Sequence, residues 1–190
     1  MTPPRIVKVI EAEARAGDPF PLKQKNQLFA NHHGKFVEVS QQAGPELERL
    51  EVSRGVAVGD VDNDGRSDLL LANNGGPARL LHNQSPARHP WIGFRVLSRY
   101  GRDALGARLE IERRGAGPLW RRVHTDGSYL SAGDPRVLVG LGDATGVSEV
   151  RVRWPDGTTE AWTGLAVNQY HTLVAGTGRP AASSAPSAGR

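Results

Sequence analysis

Between Gly59 and Asp68 the chain runs Gly-Asp-Val-Asp-Asn-Asp-Gly-Arg-Ser-Asp, with four aspartates in nine residues. A loop that gathers so much negative charge is costly to close unless a cation neutralises it. Its donors are hard oxygens, with no His or Cys inside the loop, which points to Ca²⁺ over Zn²⁺ or copper. The spacing assigns the ligands. Asp60, Asp62 and Asp64 take positions one, three and five, and Gly65 permits the sharp turn around the ion. The backbone carbonyl of Arg66 falls at position seven and Asp68 at position nine. An EF-hand would close with a bidentate Glu at position twelve. Leu71 stands there, so the EF-hand is excluded. The flanks, Gly55–Gly59 and Leu69–Ala72, are short apolar runs suited to buried strands. The expected site is a strand-loop-strand calcium loop with ligands Asp60, Asp62, Asp64, Arg66 and Asp68. Asn-Asp-Gly is also ordinary turn chemistry, but a turn gains nothing from four like charges. Stabilisation is favoured over sensing, because nothing nearby resembles a helix pair that could open.

Composition narrows the rest. The 190 residues fit one or two domains, and 23 Gly with 13 Pro indicate the many turns of an all-β protein. The absence of Cys excludes disulfides, thiolate metal sites and thiol catalysis. No apolar run reaches membrane-spanning length, and Met1 to Leu22 lacks the apolar core of a secretory signal. The net charge of +4 invites a nucleic-acid partner. The basic residues are scattered, however. Arg113, Arg114, Arg121 and Arg122 flank a hairpin turn, and Arg151 and Arg153 alternate along a strand, so a solvated sheet face is the better reading.

Residues 1–24 form an N-terminal extension in which Ile6 to Ala16 suit a short helix or strand. Gln27–Asn31 is expected as a strand, His32-His33-Gly34 as a turn, and Lys35–Ser40 as the partner strand. Arg79-Leu80-Leu81-His82-Asn83 echoes Gln27-Leu28-Phe29-Ala30-Asn31 at an offset of 52 residues, a spacing that suggests propeller blades. The second copy breaks off into the polar, Pro-containing segment Gln84–Pro90, a domain boundary.

From Asn26 to Asn83, with its Asp-x-Asp-x-Asp-Gly-x-x-Asp loop, the chain resembles a propeller-type FG-GAP/VCBS repeat. The following residues resemble an ASPIC/UnbV domain. The segments that carry the second likeness are Arg102–Arg108, Gly127–Ser131, Val139–Asp143 and Val150–Gly157. Together the chain is similar to the C-terminal part of a cartilage-acidic-protein-like (ASPIC/UnbV) family member. That resemblance implies domains at 25–84 and 90–175, further propeller repeats, export from the cell, and adhesion or recognition in place of catalysis. An unidentified protein or glycan is the implied ligand. Because one blade cannot bury its faces alone, missing blades or an oligomer partner are expected as well.

The second domain is expected to be β without that likeness. Ile92, Phe94 and Val96; Ala107, Leu109 and Ile111; and Val150, Val152 and Trp154 each alternate with polar residues or glycine. Val137–Leu141 and Tyr170–Val174 add strands. Seven or eight strands in this length suggest a small sandwich or barrel. The tail 176–190 is expected to be disordered.

Candidate chemistry is weaker. His124, Asp126 and Ser128 suggest a hydrolytic triad, yet no nucleophile elbow accompanies them. Gly127-Ser128-Tyr129 is expected as a turn with Tyr129 packed, and Arg102 with Asp103 as a loop ion pair. His32 and His33 are expected in a solvated turn. The four tryptophans, 91, 120, 154 and 162, suggest either a carbohydrate platform or packing. A glycan-directed hydrolase or carbohydrate binder, and a nucleic-acid binder, are the alternatives to a calcium-stabilised recognition module.

Overall fold

The computed structural model describes residues 23–86 and 89–182. The expectation for Ile6 to Ala16 lies outside them. The chain is all-β; among the described residues its helical segments are two 3-10 turns, Ser40–Ala43 and Pro45–Glu48. The fold divides into two compact units. The first takes the chain up to Val56 and Leu70–Leu81, and the second takes Ala57–Leu69 and the chain from His82 onward.

In the first unit, strands β1 (Phe29–His32) and β2 (Lys35–Glu38) pair antiparallel from Phe29 opposite Glu38 to His32 opposite Lys35. The connection passes through His33 and Gly34 at φ 51° and 85°. A two-residue hairpin turn of type I′ has this left-handed backbone at both positions. The expected turn is therefore present. Strands β3 (Ser53–Gly59), β4 (Asp68–Asn73) and β5 (Arg79–Leu81) form a sheet in that order. The two echo segments thus differ in place: one supplies β1 of a hairpin, the other an edge strand of three. Polar braces hold the unit. Ser53 Oγ accepts from Asn26 Nδ2 at 3.1 Å and donates to Asn73 Oδ1 at 2.8 Å, and the Glu51 carboxylate accepts from Asn73 and Arg79. Apolar burial is sparse. Leu47, Val52 and Leu71 are buried, whereas Phe29, Phe36, Val37, Leu50 and Leu80 are exposed.

The second unit contains β6 (Trp91–Leu97), β7 (Arg108–Arg113), β8 (Leu119–Arg122), β9 (Asp126–Ser128), β10 (Ser131–Ala132), β11 (Val137–Gly140), β12 (Val147–Arg153), β13 (Thr159–Thr163), β14 (Tyr170–Val174) and β15 (Arg179–Pro180). One sheet has the order β15-β13-β12-β7-β8, a second has the order β11-β6-β14, and β9 with β10 makes a small ribbon. Strand β14 runs parallel to β6, from Tyr170 opposite Gly93 to Val174 opposite Leu97. Ile92, Phe94, Val96, Val139 and Leu173 of the smaller sheet and Leu109, Ile111, Val150 and Val152 of the larger share one buried core. Two sheets around one core make a sandwich.

Three expectations need correction. Glu110, expected on the wet face of β7, is buried. It sits opposite Arg151 of β12, whose Nη1 reaches Glu110 Oε2 at 3.1 Å, and the pairing makes burial tolerable. Tyr129 does not pack; it is exposed, and Asp126–Ser128 is a strand. The expected disordered tail starts too early at Gly176: residues 176–180 are held in structure, while 183–190 lie outside the described residues. Glu160 accepts from the Gly176 and Gly178 N–H groups, both at 2.8 Å, and β15 pairs with β13.

Candidate metal centre

The aspartate loop leaves β3 at Gly59 and rejoins β4 at Asp68. Its end residues are buried, with Asp60 and Asp68 each 2% exposed. Buried carboxylates need donors, and the backbone supplies them. Asp60 Oδ1 accepts from the Asp64 N–H at 3.1 Å, and Asp60 Oδ2 accepts from the Gly65 N–H at 2.9 Å. Asp68 Oδ2 accepts from the Val61 N–H at 2.9 Å, and its Oδ1 accepts from the Asn83 N–H at 2.8 Å. These bonds curl the loop and aim the carboxylates inward. Gly65 has φ 85°, and a Cβ there would lie 2.2 Å from the Trp91 indole. The glycine therefore serves the turn and a close approach of the aromatic ring together.

The second β region reaches the loop at two more points. The Tyr170 hydroxyl donates to Asp60 Oδ2 at 2.9 Å. Arg136 Nη2 donates to the Asp60 carbonyl at 2.6 Å, and its Nη1 donates to Asn63 Oδ1. Arg136 is anchored by its Nε bond to Asp134 Oδ2 at 2.7 Å, and its Cζ lies 4.5 Å from the Tyr170 ring centroid. Burial, and then the hydrogen bond to Asp60, push the Tyr170 hydroxyl well above the usual tyrosine value.

One ligand atom from each of Asp60, Asp62 and Asp68 lies within 4.8 Å of the others. Asp62, Asp64 and His82 form a second such trio. His82 Nε2 is 2.8 Å from Asp62 Oδ2. Partial desolvation pulls the Asp62 carboxyl upward, but the bond and charge of His82 outweigh it and hold the group below its usual value. Arg66 is seen through its amide, which donates to Asp64 Oδ1 at 2.8 Å, and its guanidinium, which pairs with Asp64 and donates to the Asn83 carbonyl. Four of the five expected residues thus contribute atoms to the two trios. His82 and the residues from the second β region were missed. The one available signal was the position of His82 inside the echo segment.

Two family models match this chain. FG-GAP repeat covers residues 53–85, and ASPIC and UnbV covers residues 98–180. Residues 53–85 are thus similar to an FG-GAP repeat, and residues 98–180 to an ASPIC and UnbV domain. It is similar to cartilage acidic protein 1 of Homo sapiens, at 28% identity over 138 residues, 70% of this chain and 21% of that protein. The Mus musculus protein matches with the same identity and coverage. The Xenopus tropicalis protein is 28% identical over 106 residues, 54% of this chain and 16% of its own length. The chain spans about a fifth of the length of the human and mouse relatives. The aspartate loop lies inside the FG-GAP match, while Arg136 and Tyr170 lie inside the ASPIC and UnbV match.

The donor set fits a hard divalent cation. Its oxygens are carboxylates, two of them buried, and they converge within the span that one ion coordinates. Elsewhere in the second unit, His124, Asp126 and Ser128 are all exposed. His124 Nδ1 sits 2.8 Å from the Asp126 carbonyl and 3.4 Å from its carboxylate, which also pairs with Arg122 at 2.7 Å. Asp103 pairs with Arg95 at 3.4 Å, in place of the expected Arg102, whose backbone amide donates to Ser98 Oγ at 3.3 Å. Trp154 packs edge-on against Trp162, with centroids 6.3 Å apart, and Trp91 against Tyr170 at 5.3 Å. Trp120, the fourth tryptophan, is exposed. Two of the basic residues are held locally: Arg151 by Glu110, Glu112 and Glu149, and Arg113 by the Gly117 and Leu141 carbonyls.

Proposed function

We propose that the chain is a non-catalytic, calcium-binding β module for adhesion or recognition. It acts as the C-terminal part of a longer protein with further propeller repeats, exported to where Ca²⁺ is millimolar. The observation that carries this reading is the convergence of Asp60, Asp62 and Asp68 oxygens within 4.8 Å. Asp60, Asp62, Asp64, the Arg66 carbonyl and Asp68 are the proposed ligands. The ion supplies charge neutralisation; the protein holds Asp60 and Asp68 from behind with backbone N–H donors. The division into a repeat at 25–84 and a second domain at 90–175 belongs to the same proposal. Supporting the longer protein are the exposed Phe29, Phe36 and Leu80 of the first unit and the size of the relatives.

Calorimetry with CaCl₂ tests the metal. The expected outcome is a Kd of roughly 10⁻⁴ to 10⁻³ M, typical of extracellular modules. About 10 mM Ca²⁺ should then stabilise the fold by roughly 1–3 kcal/mol. Absence of both heat and a Tm rise refutes the assignment.

One observation favours carbohydrate binding as a second reading. A cleft of about 500 Å³ in the second unit is lined by Arg99, Tyr100, Trp154, Asp156 and Glu160, among others. Aromatic, cationic and acidic groups side by side suit a polyhydroxylated ring. Titration with methyl glycosides, followed on the Tyr100 ring by NMR, tests it.

A further inference from the structure

We propose that Tyr170 and Arg136 are positioning residues for the metal loop, so that the ASPIC and UnbV domain sets part of the cation affinity of the FG-GAP repeat. This rests on the calcium reading above.

Asp60 opens the loop, and its side chain is the one most tightly held. Two donors, the Gly65 N–H and the Tyr170 hydroxyl, both at 2.9 Å, meet on Oδ2. Together they fix the rotation of the carboxyl group. Its other oxygen, Oδ1, carries one longer bond of 3.1 Å, from the Asp64 N–H. Arg136 acts on the backbone. One guanidinium spans the Asp60 carbonyl and the Asn63 side chain, bridging the first and fourth residues of the loop. Asn63 has φ 62°, a left-handed conformation that asparagine adopts more readily than most residues.

The two side chains are themselves braced. The Tyr170 ring lies against Gly93, where a Cβ would come within 2.2 Å of it, and meets the Trp91 ring edge-on at 5.3 Å. Arg136 is held between Asp134 and the Tyr170 ring. Loop residues cannot supply these contacts, since Arg136 and Tyr170 stand 76 and 110 positions from Asp60 in sequence. Ligands held in place before binding cost less to order when the ion arrives. Opposing this, the charge of Arg136 repels a cation. Its net effect therefore has to be read with a substitution that keeps the charge.

The test is CaCl₂ calorimetry on the full chain, comparing wild type, Tyr170→Phe and Arg136→Lys, with Tm measured in EDTA and in Ca²⁺. Tyr170→Phe keeps the packed ring and loses the hydroxyl; Arg136→Lys keeps the charge and loses the fork. Each variant should bind about tenfold more weakly, a difference of about 1.4 kcal/mol. The Ca²⁺-induced Tm rise should shrink accordingly. A merely structural role would lower Tm equally in EDTA and in Ca²⁺ and leave Kd unchanged. Wild-type binding with both variants within about twofold of it overturns the positioning role and leaves the calcium reading standing. A wild type that takes up no Ca²⁺ overturns both. If Arg136→Lys does not fold, Tyr170→Phe decides by itself, because its ring contacts are intact.

Discussion

At the residue scale the loop aspartates divide into two kinds. Asp60 and Asp68 are buried and each accept two backbone N–H bonds, whereas the Asp62 side chain is 44% exposed and touches His82. Removing each has a different signature. Asp68→Ala strands the Val61 and Asn83 amides, and should cost about 2–4 kcal/mol even in EDTA. Asp62→Ala should leave Tm in EDTA nearly unchanged and remove the Ca²⁺-induced rise. Thermal melts of both variants with and without Ca²⁺ check this. Tyr170 adds a pH dependence. Its folded value is raised above the ordinary 10, so its contribution is fully present below that pH. It is lost as pH climbs further and the folded state holds on to a proton the unfolded state releases. Denaturant midpoints at about pH 9 and pH 11 should fall for the wild type, and fall less for Tyr170→Phe.

At the element scale the larger sheet depends on a polar cluster. Arg151 of β12 meets Glu110 at 3.1 Å and Glu112 at 3.4 Å on β7, and also pairs with Glu149. Arg151→Ala leaves the buried Glu110 without that cation and should destabilise the protein by about 2–4 kcal/mol, measurable by urea denaturation. Glu110→Gln in the same background should recover part of the loss. Alternation along Ile92–Val96 and Val150–Trp154 was enough to place β6 and β12, because a period of two marks which face is buried. It failed at Glu110, since a charged residue looks wet until its cross-strand partner is known. The parallel pairing of β14 with β6 was also hidden, because an apolar pattern names a face and not a neighbour. The same limit governs the aspartate loop. Aspartate spacing pointed to Asp60 to Asp68, whereas Tyr170 and Arg136 are ordinary residues on a distant stretch of chain, with nothing local to mark them.

At the scale of the whole molecule, apolar burial is uneven. Leu47, Val52 and Leu71 are the buried apolar residues of the first unit among the described residues, and the others all lie in the second. Stability follows apolar burial, so local opening should concentrate in the first unit. Native-state hydrogen exchange should show fast amides along β1, β2 and β5 and slow ones along β6, β7 and β12. Uniform protection would contradict this. A partner that covered Phe29, Phe36 and Leu80 would raise protection in the first unit. The Tyr170 to Asp60 bond has a consequence in time as well as in space. During synthesis Asp60 emerges first, and its last donor is added 110 residues later, a delay of roughly 5–20 s at ordinary elongation rates. Strand β6 likewise waits for β14. Such distant pairings slow folding, so the nascent loop carries its four negative charges through a long interval before the chain can close around them.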